Sequence, residues 1–410
     1  MTEVQLCEQQ EIHSGNKDIP LGTIIVQPEI TGDTGVKYCF QRCASFAAVL
    51  CVFTMYFLAL SIPHYVLWLF IYRTISFFAT FVKRAESVTD TAWESLPSPS
   101  AIWLVILLYF TYYYLDWGVA DVGGRGTQFV RNLALWKYCA SYFPVRLALS
   151  DELVNYAREH AKQSGKTDGN TFPGLPNDKT YLLGYHPHGM FPVGATVNFL
   201  TEANRISQIF PGIKPWVATF APAFKVPILR EFILWLGAIS VSRKGLFYLL
   251  DPDNEKNRGN LVLVVVGGAP EMLNSHPGCY RLVIRRRFGF FKLALQTGSA
   301  LIPCISFGES GVYDQFPNPP GSLLRRVQNF CMDTIRFPAP LLIPLGLGPY
   351  PLPKPITTVI GAPIPCERVN NPTTEQIVQL REVYIKRIQR LFRRYKPAFD
   401  SDAEDIEFGW

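Results

Sequence analysis

Six histidines occur in the chain, and two of them, His186 and His188, stand together in the segment YHPHGM. The run before them, TYLLGY (180–185), predicts a strand. Pro187 fixes its own φ and biases His186 toward extended backbone. On extended chain, residues two apart share a face, so both imidazoles are expected to point the same way. Gly189 then lets the chain turn, and a helix expected after Gly194 would aim unpaired N–H groups back at the pair. Three readings stay open: an inert hydrogen-bonded pair, part of a metal site, or a general base with a supporting second imidazole. A metal needs more ligands, and His276 is the only histidine downstream. No carboxylates stand at ligand spacing to complete a set, so no metal is expected.

A base needs an orienting partner, and Glu271 is the candidate, in GGAPEM after the run NLVLVVVGG (260–268). Gly267 and Gly268 allow close backbone approach there. No G-x-S-x-G elbow occurs, and residues 308–311 miss its spacing. No P-loop or dinucleotide fingerprint occurs either. Those absences favour direct reaction between two bound substrates over a covalent enzyme intermediate.

The elements that must hold these groups follow from periodicity. The valine run within 260–268 lacks polar alternation, which predicts a strand buried on both faces in a helix-covered, mostly parallel sheet. Further strands are expected at 281–284, 301–307 and 356–361. Helices are expected near 149–164, 195–210, 223–237, 288–298 and 323–336, with a Pro- and Gly-rich loop at 340–355. A last helix opens on a capping box from Thr373 to Gln376. It carries Ile377, Leu380, Tyr384, Ile388, Leu391 and Tyr395 on one face and Lys386, Arg387, Arg390, Arg393 and Arg394 on the other.

Ahead of this α/β body the texture is different. Residues 43–82 are overwhelmingly apolar, enough for one membrane span or nearly two, and 101–117 form a second run ending in Tyr112, Tyr113, Tyr114 and Trp117. Lys37 and Arg42 precede the region, and Arg125, Arg131 and Lys137 follow it, which favours both termini on the cytosolic side. Lys83 and Arg84 argue against a far-side loop at 82–100, and a three-span count would instead put the amino terminus in the lumen. The expected organisation is a disordered cytosolic tail (1–42), a two-span membrane hairpin (43–117) and a cytosol-facing body (118–410). Nine scattered cysteines without a C-x-x-C pair indicate neither a zinc ribbon nor a disulfide framework. A net charge of +6 is mild, and no nucleic-acid partner is expected.

The motifs together resemble the type-2 diacylglycerol acyltransferase family, which includes monoacylglycerol acyltransferases and some wax-ester synthases. The resemblance runs from about residue 100 to 395. HPHG stands at His186-Pro187-His188-Gly189, and YFP at Tyr142-Phe143-Pro144. The block R-x-G-F-x-K-x-A-x-x-x-G runs from Arg287 through Gly289, Phe290, Lys292 and Ala294 to Gly298, closing at Pro303. DWG ends at Gly118, VGGAxE ends at Glu271, SFGE spans 306–309, and KPITTVIGAPI spans 354–364. Phe57-Leu58-Ala59-Leu60 resembles a neutral-lipid motif. The segment before P-x-x-R (Pro227, Arg230) departs from the family at 221–224.

The resemblance implies an acyl-CoA-dependent O-acyltransferase that makes triacylglycerol in the endoplasmic reticulum membrane and at lipid droplets. Its partners would be acyl-CoA as substrate, diacylglycerol or a similar acceptor, and membrane lipids; self-association stays open. It needs no cofactor. The implied catalytic residues are His186, His188 and Glu271. The implied substrate contacts are Pro187, Gly189, Arg230, Arg287, Gly289, Phe290 and Lys292, with Tyr142, Phe143 and Pro144. Arg243, Lys244, Arg285 and Arg286 join Arg287 and Lys292 as candidates for CoA phosphates. Competing readings are a monoacylglycerol or wax-alcohol acyltransferase, a non-catalytic lipid-droplet protein, and a metal-dependent lipid hydrolase.

Overall fold

The computed structural model describes residues 18–28, 42–52, 101–165, 172–335 and 351–409, together with positions 54, 61, 68, 72, 340 and 343. Most of the 1–42 tail, most of the 43–82 run, Phe57-Leu58-Ala59-Leu60 and most of the 340–355 loop lie outside the described residues; within the tail expected to be disordered, Ile24–Val26 is instead ordered as a strand paired with Leu147–Leu149.

The strands are β1 (Ile24–Val26), β2 (Val145–Leu149), β3 (Tyr181–His186), β4 (Lys214–Thr219), β5 (Ala238–Ser240), β6 (Asn260–Val265), β7 (Arg281–Val283), β8 (Ala300–Phe307), β9 (Ile356–Ile360) and β10 (Glu407–Gly409). Eight of them form one sheet in the order β1-β2-β9-β8-β3-β6-β4-β5, and β7 pairs with β10 apart from it. The β8-β3-β6-β4-β5 stretch is parallel throughout, as is β2 beside β9. The β1-β2 and β8-β9 pairs are antiparallel.

Every residue of β3 and β8 is buried, as the unbroken apolar runs require. One apolar layer packs α2 (Ala134–Tyr142), α3 (Asp151–Gln163) and α4 (Leu229–Leu236) against Tyr181, Leu183 and Tyr185 of β3. The opposite layer packs α5 (Arg243–Leu250), α6 (Phe288–Thr297) and α8 (Thr374–Phe399) against Leu182, and α7 (Leu323–Ile335) follows β8 in the chain. The chain is therefore a mixed α/β body whose mostly parallel sheet is covered by helices. The capping box forms as expected, with Thr373 Oγ1 accepting from Gln376 N and Gln376 Oε1 accepting from Thr373 N.

One expected helix is broken up. The single helix expected over 195–210 is broken into a turn at Val193–Ala195, a wider turn at Thr196–Leu200 and a last turn at Ile206–Ile209. The apolar run 101–117 forms α1 (Ala101–Leu115), whose 15 residues extend about 22 Å, against about 30 Å of bilayer hydrocarbon. Among the described residues, no helix is long and apolar enough to cross a membrane.

Candidate active site

Because β8, β3 and β6 are parallel neighbours, their carboxyl ends lie side by side at one edge of the sheet. That edge receives His186 at the end of β3 and His188 just beyond it, Glu271 after β6, and Glu309 after β8. The antiparallel register of β9 on β8 brings the start of β9 to the same edge, and the start of β2 follows through the Val145–Ile356 pair. Tyr142, Phe143 and Pro144 precede β2 and so arrive there too.

His186 ends β3 and is wholly buried on the face covered by α6 and α8. Its Nε2 lies 3.2 Å from the Tyr384 hydroxyl, which also donates to Gly184 O at 3.1 Å. Gly184 makes this possible, since a Cβ there would stand 2.1 Å from the Tyr384 oxygen. His186 Nδ1 has no hydrogen-bond partner and faces Glu271 Oε1 at 3.9 Å.

His188 lies beyond the end of the strand and is half-buried. The extended backbone on which a common face was expected stops at His186, and both residues meet Glu271, His186 with its ring and His188 with its amide. His188 Nδ1 is 3.0 Å from Gly189 O. A carbonyl only accepts, so Nδ1 carries the proton and Nε2 keeps the lone pair. Burial holds the His188 imidazole below the usual histidine range, with the Gly189 carbonyl and the Glu271 charge opposing it. The ring is therefore neutral, and its Nε2 basic, at pH 7.

Glu271 is buried and grips the main chain. Its Oε2 accepts from His188 N at 2.9 Å and its Oε1 from Val283 N at 3.0 Å. The carboxylate folds back over Gly267, where a Cβ would lie 2.2 Å from it. Arg287, on the loop entering α6, donates to Gly267 O and adds a cationic group beside Glu271.

Among the other expected residues, Gly289 and Lys292 are exposed at the start of α6, and Phe290 packs its ring 5.8 Å from that of Tyr384. Arg243, Lys244 and Arg286 are exposed. Tyr142 donates to Pro351 O at 2.8 Å and Phe143 O accepts from Ile356 N, so this motif fixes the approach to β9. Pro187 follows a cis peptide bond. Arg230 departs from the expected substrate contact. Its side chain is wholly buried, with Nη1 at Glu231 Oε1 (2.5 Å), Nη2 at Asp116 Oδ2 (2.6 Å) and the guanidinium over the Tyr113 ring. Nor are the N–H groups after Pro192 free, because Gly194 N donates to both oxygens of Glu309. The sequence reading assigned no role to Tyr384 or Glu309. Tyr384 was legible only as one more residue on an apolar helix face, and SFGE as a motif without a part.

A neutral imidazole on the turn after β3, at the carboxyl edge of a parallel sheet and beside a buried carboxylate, suits an enzyme that takes a proton from a hydroxyl. The comparisons with known proteins say which kind. The chain belongs to the diacylglycerol acyltransferase family, whose profile matches residues 98–160 and 170–408; it is an acyltransferase. It is 36% identical over 299 residues to 2-acylglycerol O-acyltransferase 1 of Bos taurus, covering 72% of this chain and 82% of that one. It is 38% identical over 310 residues to diacylglycerol O-acyltransferase 2 of Homo sapiens, covering 74% of each. Among solved structures, the 1-acyl-sn-glycerophosphate acyltransferase PlsC from Thermotoga maritima aligns with a TM-score of 0.31 at 13% identity, over 72% of this chain and 97% of that one.

Proposed function

We propose that the chain esterifies diacylglycerol to triacylglycerol with acyl-CoA, using His188 as the general base. The observation that carries this is the His188 Nδ1–Gly189 O contact, which reserves Nε2 for the substrate proton. His186, wholly buried and bound to Tyr384, supports the turn from beneath. Glu271 holds the His188 amide, so it places the base through the backbone. The acceptor O–H gives its proton to Nε2 as its oxygen attacks the thioester carbonyl. The C–S bond then breaks, and the departing CoA sulfur takes the proton back from the imidazolium. Arg287, Lys292, Arg286, Arg243 and Lys244 supply cations on this side for the phosphates of CoA, which is a substrate and not a resident cofactor.

Location and organisation belong to the same proposal. The acyl tail and diacylglycerol partition into a bilayer, whereas CoA is a soluble polyanion, so the reaction suits a membrane interface. The length of the 43–82 run and the lipid-like exposure of Leu104, Leu107, Leu108 and Leu115 support residues 43–117 as the membrane-embedded part. The 118–410 body then faces the cytosol at the endoplasmic reticulum or a lipid droplet, behind a tail at 1–42. Membrane lipids are accordingly partners.

The test is acyl transfer by membranes from cells lacking their own neutral-lipid acyltransferases, given labelled oleoyl-CoA and diacylglycerol. His188→Ala should lower the rate by about 10²- to 10⁴-fold at unchanged protein level. An undiminished rate would refute the assignment of the base. Monoacylglycerol is the second acceptor to compare, since one relative carries 2-acylglycerol acyltransferase in its name; hexadecanol is the third.

A further inference from the structure

Glu309 reaches the catalytic turn from the side of the sheet opposite to Tyr384. It is 1% exposed, and its bonded partners are uncharged donors. Tyr185 OH donates to its Oε2 at 2.6 Å and Ser306 OH at 2.8 Å, while Gly194 N reaches both oxygens at 3.1 and 3.2 Å. Two glycines are pressed against it. A Cβ on Gly189 would stand 2.8 Å from Glu309 Cγ, and one on Gly194 would stand 2.7 Å from Glu309 Oε2. Gly189 is the residue whose carbonyl fixes the His188 tautomer. Packing and hydrogen bonds therefore run from Glu309 through both ends of the 189–194 turn to the base. Structural cores avoid a carboxylate buried without a counter-charge, because its desolvation exceeds what neutral partners return.

We propose that Glu309 is a positioning residue for acyl transfer: its ionised carboxylate clamps Gly189 and Gly194 and so sets where the His188 imidazole stands. The proposal rests on His188 being the base. Ionised, the carboxylate accepts from every donor around it. Protonated, it offers an O–H that the Tyr185 or Ser306 hydroxyl must reverse to accept, and the bonds to the remaining donors, Gly194 N among them, lose their charge assistance. Burial pushes the Glu309 carboxyl up to about 7, against the pull of the Tyr185, Ser306 and Gly194 bonds. The other titratable groups facing it are Tyr185 on β3, Cys304 on β8 and Tyr280 before β7, and burial drives each of these upward, so all stay neutral at pH 7. The clamp is thus formed above pH 7 and loosens as pH falls through 7, while His188 protonates only at lower pH.

The experiment is the pH dependence of the maximal rate and of apparent KM for oleoyl-CoA, using the full chain in membranes. The wild type should lose activity on the acid side with a midpoint near 7. Glu309→Gln should lower the maximal rate by about tenfold with little change in KM, and its acid midpoint should fall to that of His188. Tyr185→Phe removes one donor to the carboxylate, so its acid midpoint should move up while the alkaline plateau keeps most of the wild-type rate. A Glu309→Gln enzyme with the wild-type rate and midpoint would overturn the proposal. If Glu309→Gln does not accumulate, an unmoved midpoint in both Tyr185→Phe and Ser306→Ala would overturn it equally. His188→Ala, run alongside, separates the two readings: a dead His188→Ala with an unaffected Glu309→Gln sinks the clamp and leaves the base standing.

Discussion

Tyr384 and Gly184 form a matched pair. The hydroxyl occupies the space that a side chain at 184 would fill, with 2.1 Å between a Cβ there and the phenolic oxygen. Gly184→Ala should therefore destabilise the fold by about 1–3 kcal/mol through overpacking. Tyr384→Phe loses the bonds to His186 and Gly184 O and should cost about 1 kcal/mol. The double variant should be less destabilised than the two single costs add up to, because the phenyl ring relieves part of the clash. Thermal denaturation of the four proteins measures that coupling, and strict additivity would mean the two positions do not meet. The motif HPHG was legible as a pair of imidazoles on a turn. Which imidazole is seated against α8 was not, because that depends on where β3 stops and on a partner 198 positions further along.

At the scale of elements, α1 is bolted to the body through charge. Arg230, in the first turn of α4, bonds Asp116, Glu231 and the face of Tyr113, and Arg125 bridges the same two carboxylates. Asp116→Ala leaves the buried guanidinium short of a partner and should cost about 3–5 kcal/mol. Asp116→Ala with Arg230→Met should cost less than Asp116→Ala alone, read by chemical denaturation; an equal or larger loss would show that the charge network does not hold the helix.

The same network shows why sequence reading stops where it does. The strands at 180–185, 260–268, 301–307 and 356–361 announced themselves as apolar runs, and α8 by its capping box. The strands Lys214–Thr219 and Ala238–Ser240 gave too little signal, the first opening on Lys and Pro and the second only three residues long. The amide of Gly194, just ahead of the helix expected over 195–210, is captured by Glu309, 115 positions away. Local periodicity carries no trace of such a partner.

Among the described residues, exposed apolar side chains gather on α1, where Leu104, Val105, Leu107, Leu108, Tyr114 and Leu115 are each more than half exposed. The α1 end that carries Asp116 is tied to Arg230, and α4 itself returns from the carboxyl edge of the sheet that bears His188. A bilayer taking up α1 would thus lie beside the active edge, where acceptor and acyl tail would enter sideways. The full chain should stay with membranes through alkaline carbonate extraction. Replacing Leu104 and Leu108 by Asp should raise KM for a bilayer-dissolved acceptor more than KM for acyl-CoA. Equal changes in both would mean that α1 does not deliver the lipid.

The bond between His186 and Tyr384 also has a consequence in time. Its two ends are separated by 198 positions, and the β9 strand that closes the sheet beside β8 lies in the last stretch of chain as well. At about 5–20 residues per second of translation, roughly 10–40 s pass between synthesis of the histidine and synthesis of its partner. Throughout that interval the nascent chain carries the reactive motif without the helix that seats it. Any apolar segment already in the bilayer would be waiting for a site that does not yet exist. Catalytic competence thus waits for the synthesis of α8, so a chain truncated before Tyr384 should carry the motif and yet be inactive.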